Sequence, residues 1–269
     1  MKKAQSVGLI GTGSLTDSPL TRFWWLSERL GPVKSASYRV ASRIANMLRA
    51  GRPVKDYAEF ESCDLILVYV PDETVPQVVS EMASAGISWR GKAVVLLSTW
   101  LDSGELHQLS VRGAAVGSIC PIPGFEDERY LVEGDPLAIR QLKSLVEYRE
   151  RRAVAVERSL KPFFLAALTC TGTLLFALLQ VAHQSLQLAR IPPGLSATLL
   201  ERQLIRTLRS FLKGGRRAYP EPRELPRQLR ALSGANPELA HYLQESSHLA
   251  SRLMSSRPGS RPMQKSRAV

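Results

Sequence analysis

Short runs of consecutive apolar residues alternate with stretches of helical spacing along the first 157 residues. The clearest runs are 6–10, 64–70 (DLILVYV) and 93–98 (AVVLLS), with a further run at 114–119, and 33–38 is predicted as the second strand. Such uninterrupted apolar runs are typical of parallel strands that are covered on both faces. Because parallel neighbours must be joined by right-handed crossovers, usually helices, the alternation predicts an α/β fold with a doubly wound parallel sheet.

The alternation ends near residue 157, and from Leu160 onward the pattern is helical. Helices are predicted over 162–189, 197–213 and 237–254, with Pro192 and Pro193 ending the first of them. The proline-containing segment 218–226 is predicted to be a loop. At 269 residues with 44% hydrophobic content, the chain can bury two cores. We therefore predict a sheet domain over 1–157, an all-α C-terminal domain over 158–254, and a disordered basic tail over 255–269, which has too little apolar surface to fold.

The segment 162–189 contains no charged side chain and is long enough to cross a bilayer. It also carries polar but uncharged threonine, glutamine, serine and histidine residues. This mixture favours a helix buried between protein surfaces, in a domain core or a dimer interface, and the prediction is that the protein has no membrane partner. A transmembrane helix is the alternative.

The basic charge lies at the C-terminal end of the chain. Residues 1–201 hold 22 basic and 20 acidic side chains, whereas residues 202–269 hold 14 basic and 4 acidic ones. Such asymmetry is compatible with binding to nucleic acid or to an anionic membrane. No nucleic-acid-binding motif accompanies the charge, so we predict a solvated helix face with a basic tail and no nucleic-acid partner.

Three cysteines, Cys63, Cys120 and Cys170, lie far apart without metal-ligand spacing. No even set suggests a disulfide framework, and the N-terminus does not have the pattern of a secretory signal peptide. These features predict a cytoplasmic protein without a metal site.

A glycine turn follows the first predicted strand. Gly11 and Gly13, followed by Ser14 and Leu15, provide the tight turn and the open backbone that a dinucleotide pyrophosphate requires. Thr16 stands where the fingerprint has its third glycine, and the next residue is an aspartate that would repel a phosphate. The predicted fold is thus a Rossmann dinucleotide-binding sheet, with a glycine turn that holds no ligand as the alternative.

The end of the second strand usually distinguishes NAD from NADP. An acidic residue there binds the ribose hydroxyls of NAD, whereas a basic residue accepts the 2′-phosphate of NADP. This chain has Arg39 and Arg43 after that strand and no carboxylate beside them. Since a guanidinium pairs well with phosphate oxygens, NADP (NADPH) is predicted in preference to NAD. Surface arginines without a ligand are the alternative.

Several segments in this order resemble a known family: VGLIGTGSL, SYRVASR, DLILVYVPDE, VVLLST, AVGSICPIPGF, YLVEGDP and the long helix after Lys161. They resemble the bacterial Rossmann-like oxidoreductases whose helical C-terminal domain is classed as a domain of unknown function. Those proteins are similar to pyrroline-5-carboxylate reductase, prephenate dehydrogenase and 6-phosphogluconate dehydrogenase. The resemblance covers residues 6 to about 254, and its most specific pieces are GSICP at 117–121 and VEGDP at 132–136.

The resemblance implies that the glycine turn binds NAD(P) and that the helical domain forms a homodimer. It implies that Val70 and Pro71, together with Ser98 and Thr99, border the nicotinamide side.

The chain departs from the family pattern in its candidate proton-transfer groups. Cys120 replaces a histidine before the proline, Phe164-Leu165 replaces a tyrosine-histidine pair, and Gly172-Thr173 replaces a serine-asparagine pair.

Hydride transfer to a carbon that bears oxygen or nitrogen needs a partner that gives or takes a proton. Lys161 is the first candidate, because burial can lower the pKa of a lysine, and Cys120 is the second. A solvent-exposed lysine at the start of a helix is the alternative for Lys161. Two functions follow as hypotheses. One is an NADP-dependent oxidoreductase that acts on a small metabolite. The other is a non-catalytic relative that serves as a cofactor-binding or scaffold dimer, because the third glycine and both histidines are missing.

Overall fold

The computed structural model describes residues 6–12, 26, 28–125, 128–147 and 152–255. In these residues eight strands form one sheet in the order β3-β2-β1-β4-β5-β6-β7-β8. The strands are β1 Val7–Gly11, β2 Leu30–Lys34, β3 Arg52–Pro53, β4 Leu65–Tyr69, β5 Ala93–Leu97, β6 Ala115–Ile122, β7 Arg129–Gly134 and β8 Arg152–Ala155. Every neighbouring pair is parallel except β6 and β7, which are antiparallel. The predicted α/β class with a doubly wound sheet is confirmed.

Alternate residues of the central strands enter different cores, as the pleat of a strand requires. Leu65 and Leu67 of β4 belong to one cluster, and Ile66 and Val68 belong to another. All four side chains are at most 1% exposed. This arrangement explains the continuous apolar runs in the sequence, because a strand with protein on both faces has no solvent-exposed side. The helices of this region are α1 Tyr38–Leu48, α2 Val75–Ala83, α3 His107–Val111 and α4 Pro136–Val146.

The second strand differs from its predicted position. The sequence pattern favoured a strand over 33–38, but β2 ends at Lys34 and α1 begins at Tyr38. The reason is a helix cap, since the Ser37 hydroxyl accepts a hydrogen bond from the Val40 amide at 3.3 Å. The sequence pattern also failed to indicate β7, β8 and the short helix α8, whose beginning at Leu225 shortens the predicted loop over 218–226.

The chain divides into two compact units, residues 1–167 and 168–269. The helices after the sheet are α5 Lys161–Thr169, a π-helical turn Cys170–Leu174, α6 Leu175–Leu188, α7 Pro193–Gly214, α8 Leu225–Ala235 and α9 Pro237–Ser255. The C-terminal helical region is confirmed. Residues 256–269 of the predicted tail lie outside the described residues.

One helical stretch, Arg158–Leu188, is long and apolar enough to cross a membrane by length and composition alone. No residue of its most apolar part is buried within the described chain. Phe163 and Phe176, for example, are 72% and 73% exposed. The sequence predicted burial of this helix between protein surfaces, and the single chain leaves those side chains uncovered.

Candidate functional site

A cleft of about 470 Å³ opens where β1, β2 and β4 end. β1 lies between β2 and β4, so the chain connections leave it in opposite directions at this point of the sheet. Such a change of direction splays the connecting segments apart and produces a crevice at the carboxyl ends of the strands. Gly11 and Thr12 line the cleft from β1, and Val70 and Pro71 line it from the end of β4. The two sides are joined by the Thr12 amide, which donates to the Tyr69 carbonyl at 3.0 Å.

The end of β2 forms a second wall of the cleft. Lys34, Ser35 and Ala36 line this wall, and the Ser35 hydroxyl donates to the Gly11 carbonyl at 2.7 Å. The Lys34 ammonium lies over the Tyr57 ring, 4.3 Å from its centroid. The ring face attracts the cation and fixes its position at the cleft.

Tyr57 is held in turn by a carboxylate on α2. Its hydroxyl donates to Glu81 at 3.0 Å, and the amide of Gln77 donates to the other oxygen of Glu81 at 2.9 Å. All three residues line the cleft. Burial, together with the hydrogen bond and the negative charge of Glu81, raises the pKa of Tyr57 well above its usual range. The phenol therefore remains a neutral donor at physiological pH.

The structure brings some of the predicted cofactor residues together and leaves others apart. Gly11, Val70 and Pro71 line one cleft. Arg39 and Arg43 are exposed on α1, one turn apart, and are not among the residues that line it. The predicted residues Gly13, Ser14 and Leu15 lie outside the described residues, as do Thr16 and the aspartate that follows it.

The sequence interpretation missed Lys34 as a cleft cation. Its position was assigned to the interior of a strand over 33–38, whereas β2 ends at Lys34 itself. The signal was present in the sequence, because Ser37 is a good helix-capping residue and a cap at that position ends the strand earlier.

Ser98 and Thr99 follow β5, next to the end of β4. The Ser98 hydroxyl donates to Asp72 at 2.8 Å, which links the two strand ends. It also accepts hydrogen bonds from the amides of Trp100 and Leu101 at 3.1 and 3.0 Å. Ser98 is buried and Thr99 is half-buried, so Ser98 serves to shape this loop.

Lys161 is 1% exposed although it begins a helix. Its ammonium donates to the Ser98 carbonyl at 3.2 Å, to the Ser118 hydroxyl at 2.9 Å and to the Leu101 carbonyl. These contacts use all three hydrogens of an ammonium group. Lys161 thereby fastens the start of α5 to the loop after β5 and to β6.

The Lys161 contacts continue into a buried carboxylate. Ser118 donates to Glu133, which is fully buried, and Ser103 donates to the same carboxylate through its amide at 2.8 Å and its hydroxyl at 2.7 Å. Ser118 and Glu133 lie directly opposite each other on β6 and β7. A buried charge is tolerated only when it is paired and hydrogen-bonded, and this cluster meets that requirement.

The cluster explains both distinctive sequence segments, GSICP and VEGDP. They are cross-strand partners, with Gly117 opposite Gly134. Gly134 has a φ of +130°, and a Cβ added there would lie 2.3 Å from the Val116 carbonyl oxygen. Asp135 accepts a hydrogen bond from the Val116 amide at 2.8 Å, and α4 begins at the following proline.

Cys120 is 1% exposed on β6, two residues after Ser118. Burial raises the pKa of its thiol, against the opposing effect of the Lys161 charge. Burial likewise lowers the pKa of Lys161, and the nearby Cys120 and the carboxylates of Glu133, Asp102 and Asp72 oppose that shift. The two predicted proton-transfer candidates thus lie close together, and neither is among the residues that line the cleft.

Within the described ranges, no group of three histidine, cysteine or acidic residues is arranged to hold a metal ion.

Solved structures of oxidoreductases have the same fold over almost the whole chain. A Bacteroides fragilis protein assigned as an NADP oxidoreductase matches with a TM-score of 0.68 and 15% identity, over 93% of this chain and 97% of its own. A variant of the imine reductase of Myxococcus stipitatus, solved with NAD⁺, matches with a TM-score of 0.66 and 16% identity, over 94% and 95%. The reductive aminase of Aspergillus terreus, solved with NADPH and ethyl levulinate, matches with a TM-score of 0.64 and 15% identity, over 93% and 95%.

No protein-family model matches the chain, and no curated protein sequence matches it either. At these identities the similarity establishes the fold. The class is a Rossmann-like α/β sheet followed by a helical region, in the arrangement found in nicotinamide-dependent oxidoreductases.

Proposed function

We propose that this protein is a cytoplasmic NADP-dependent oxidoreductase that acts on a small metabolite, and that it belongs to the 6-phosphogluconate-dehydrogenase-like superfamily. The observation that carries the proposal is the cleft at the ends of β1, β2 and β4, with its Gly11 backbone and its Lys34 cation. Crevices at this point of a doubly wound sheet are where dinucleotides bind.

The residues of the cleft fit a phosphorylated dinucleotide. Gly11 presents no side chain, so the backbone can approach a ligand there. The glycine turn from Gly13 to Leu15 comes next in the sequence and would contact the pyrophosphate. Val70 and Pro71 offer an apolar wall, and Lys34 offers a fixed positive charge at the end of β2. A bound NADPH would supply hydride to a carbon atom of the substrate. No carboxylate follows β2 before α1, so a 2′-phosphate meets no repulsion from that segment.

Within this proposal, basic side chains at two places, on α1 and at the end of β2, bind the 2′-phosphate of NADPH. Arg39 and Arg43 were predicted from sequence and stand exposed on the first two turns of α1. Lys34 is added because it lines the cleft. The 2′-phosphate would lie near the N-terminus of α1, where free backbone amides also favour negative charge.

Ser98 and Thr99 remain proposed neighbours of the nicotinamide side. Lys161 remains a proposed proton donor, although proton transfer from its ammonium would require breaking one of its three hydrogen bonds. Cys120 is the second proposed group, and its raised pKa makes the thiol the form present at physiological pH. A pH profile of turnover for Lys161→Arg would test the first role, because arginine keeps the charge and cannot release a proton.

We propose that two copies associate through the helical domain, taken as residues 158–254, with the sheet domain over 1–157. The exposed apolar side chains of the stretch 161–188, such as Phe176, support this assembly, since a monomer seldom leaves so much apolar surface in water. Burial of this stretch in a dimer interface would explain why a protein without a membrane partner has a helix long enough to span a membrane. Light scattering tests it by the mass in solution.

The test of the proposed function is a calorimetric titration with NADPH and with NADH. We expect tighter binding of NADPH and a reversed preference in Arg39→Asp. Consumption of NADPH with a panel of ketones, ketone–amine mixtures and cyclic imines follows, because the structurally similar enzymes were solved with such compounds. Absence of binding to either cofactor at millimolar concentration would contradict the proposal.

A second candidate is a non-catalytic dimer that binds the cofactor or serves as a scaffold. Lys161 and Cys120 are both buried and are not among the residues that line the cleft, which favours it. This candidate predicts NADPH binding without turnover on any substrate of the panel.

A further inference from the structure

Four cations form a line along α7, which we call the basic stripe: Arg202, Arg206, Arg209 and Lys213. Their spacing of four, three and four positions places them on one side of a helix with 3.6 residues per turn. The line extends over about 16 Å, at a rise of about 1.5 Å per residue. All four side chains are exposed.

Among the described residues, none of these four cations has an acidic partner within ion-pair distance. The acidic residues of the second unit are too few to neutralise the charge of the stripe. Residues 168–255 contain eleven basic and five acidic side chains, and residues 256–269 add four basic and no acidic ones. Four like charges on successive turns of one helix repel one another, and negative charge on a partner would relieve that repulsion.

The last turn of α9 is hydrogen-bonded to a residue just after α7. Arg216, three residues after Lys213, donates hydrogen bonds to the carbonyls of Leu253 and Met254 at 2.7 and 2.6 Å. The last turn of α9 is thereby fixed near the C-terminal end of α7. Four further cations, Arg257, Arg261, Lys265 and Arg267, follow α9 in the sequence.

The opposite side of α7 is apolar. Leu204, Leu208 and Phe211 lie roughly opposite the stripe at 3.6 residues per turn. They line a groove of about 460 Å³ together with Tyr219 and Met254 of the same unit. Leu208 and Phe211 are 54% and 55% exposed, so the groove is open, and Arg206 of the stripe also borders it.

We propose that the basic stripe binds the phosphate backbone of a nucleic acid, without sequence preference. Over about 16 Å, one strand of B-DNA carries roughly five phosphates, which matches four cations in a line. A lipid surface is the alternative, in which the half-exposed apolar side of α7 would insert into the bilayer, and vesicle binding tests it. The inference is independent of the proposed oxidoreductase activity and departs from the sequence-based expectation of a merely solvated face.

The experiment measures fluorescence anisotropy of a labelled 20-base-pair duplex and of a 20-residue oligothymidine with the full chain. Four phosphate contacts predict a slope of about −3.6 for log K against log salt with the duplex, and about −2.8 with the single strand. Affinity for the duplex should therefore fall on the order of 10²-fold between 50 and 200 mM salt. Replacing all four stripe residues with glutamine should weaken binding at least tenfold at 50 mM salt and flatten both slopes.

The matched control replaces Arg90, Arg112, Arg140 and Arg227 with glutamine, which changes the net charge equally at exposed positions that are not part of the stripe. This control should keep the wild-type slope. A second variant with lysine at the three arginine positions of the stripe retains the charge and should retain binding, whatever the glutamine variant does to folding. Equal losses in the control, no binding at 50 mM salt, or stripe-dependent binding to phosphatidylserine vesicles without binding to either oligonucleotide would overturn the proposal.

Discussion

The two units of the chain differ in how much of their apolar surface is buried within the chain. Both hydrophobic core clusters of the described chain lie in the first unit, where central strands such as β4 and β5 are buried on both faces. In the second unit the large apolar side chains of α6 and α7 remain exposed, with Leu212 at 74%. The charged residues are also divided unequally. Residues 1–167 hold 21 basic and 19 acidic side chains, whereas residues 168–269 hold 15 basic and 5 acidic ones.

This difference shows that the two units depend on different surroundings. A sheet with helices on both faces completes its own core, so its stability is set by contacts within one chain. Amphipathic helices with open apolar sides need another surface, and their charged sides remain available to a partner. Mutations in the first unit should therefore change folding, and mutations in the second should change association.

The largest expected effect is in the sheet, at Gly134. Its φ of +130° and the 2.3 Å that would separate an added Cβ from the Val116 carbonyl oxygen exclude any side chain. Gly134→Ala should destabilise the protein by more than about 3 kcal/mol, measured by urea denaturation. Gly86→Ala is the control, because Gly86 also has a positive φ but has nothing within 4 Å of an added Cβ. It should cost about 1 kcal/mol. Similar losses at both positions would show that the β6–β7 contact is not tight.

Lys161→Met removes the cation from the buried cluster and leaves the Glu133 network without its counter-charge. Breaking a buried charged pair costs about 3 to 5 kcal/mol, so we expect a loss near the lower value. The half-buried Lys143, changed to methionine, should stay within about 0.5 kcal/mol of wild type. Urea denaturation monitored by far-UV circular dichroism measures both.

The same lysine predicts a pH dependence. Burial lowers the pKa of Lys161 below its ordinary 10.5, so between the two values the unfolded chain binds more protons than the folded chain. The free energy of unfolding contributed by Lys161 should therefore rise with pH through that interval. Lys161→Met should lack this rise. A difference between wild type and variant that is constant up to pH 10.5 would contradict the assigned direction of the pKa shift.

The second unit should respond through association. Phe176→Glu places a charge on the exposed apolar helix and should weaken the proposed dimer about thirtyfold, as expected for loss of about 2 kcal/mol at an interface. Phe125→Glu, an exposed aromatic of the sheet unit, should leave the mass in solution unchanged. Sedimentation velocity measures both, and alkylation of the exposed Cys170 should accelerate as the dimer dissociates. If the wild-type protein is a monomer at micromolar concentration, the proposed interface is wrong.

The smallest effect concerns cofactor preference. Lys34→Gln removes the cleft cation, and we expect affinity for NADPH to fall about tenfold, or about 1.4 kcal/mol, while affinity for NADH stays the same. Arg43→Gln, at an exposed position of α1 not among those lining the cleft, should have a smaller effect. Calorimetry separates the two. A larger effect at Arg43 than at Lys34 would assign the phosphate contact to the arginines that the sequence indicated.

Local patterns in the sequence determined the fold class and the approximate element positions. The apolar runs at 64–70 and 93–98 became β4 and β5 because strands buried on both faces need no polar residues. The long helix ended at Leu188, shortly before Pro192 and Pro193, and Pro193 became the first residue of α7, a position that needs no amide hydrogen. The glycine turn indicated which strand end borders the cleft, since glycine is needed where the backbone must approach a ligand.

Only the tertiary structure decided which distant residues meet. The sequence predicted Arg39 and Arg43 at the cleft, but the Ser37 cap begins α1 early and leaves Lys34 at the strand end. It offered a solvated Lys161 as the alternative to a catalytic one, and the fold buries that lysine beside Ser118 and Glu133. Those partners lie 43 and 28 positions away along the chain, and the antiparallel pairing of β6 with β7 aligns them with each other. A residue's local sequence fixes its own helix or strand, whereas its partners depend on strand order and register, which no local pattern specifies.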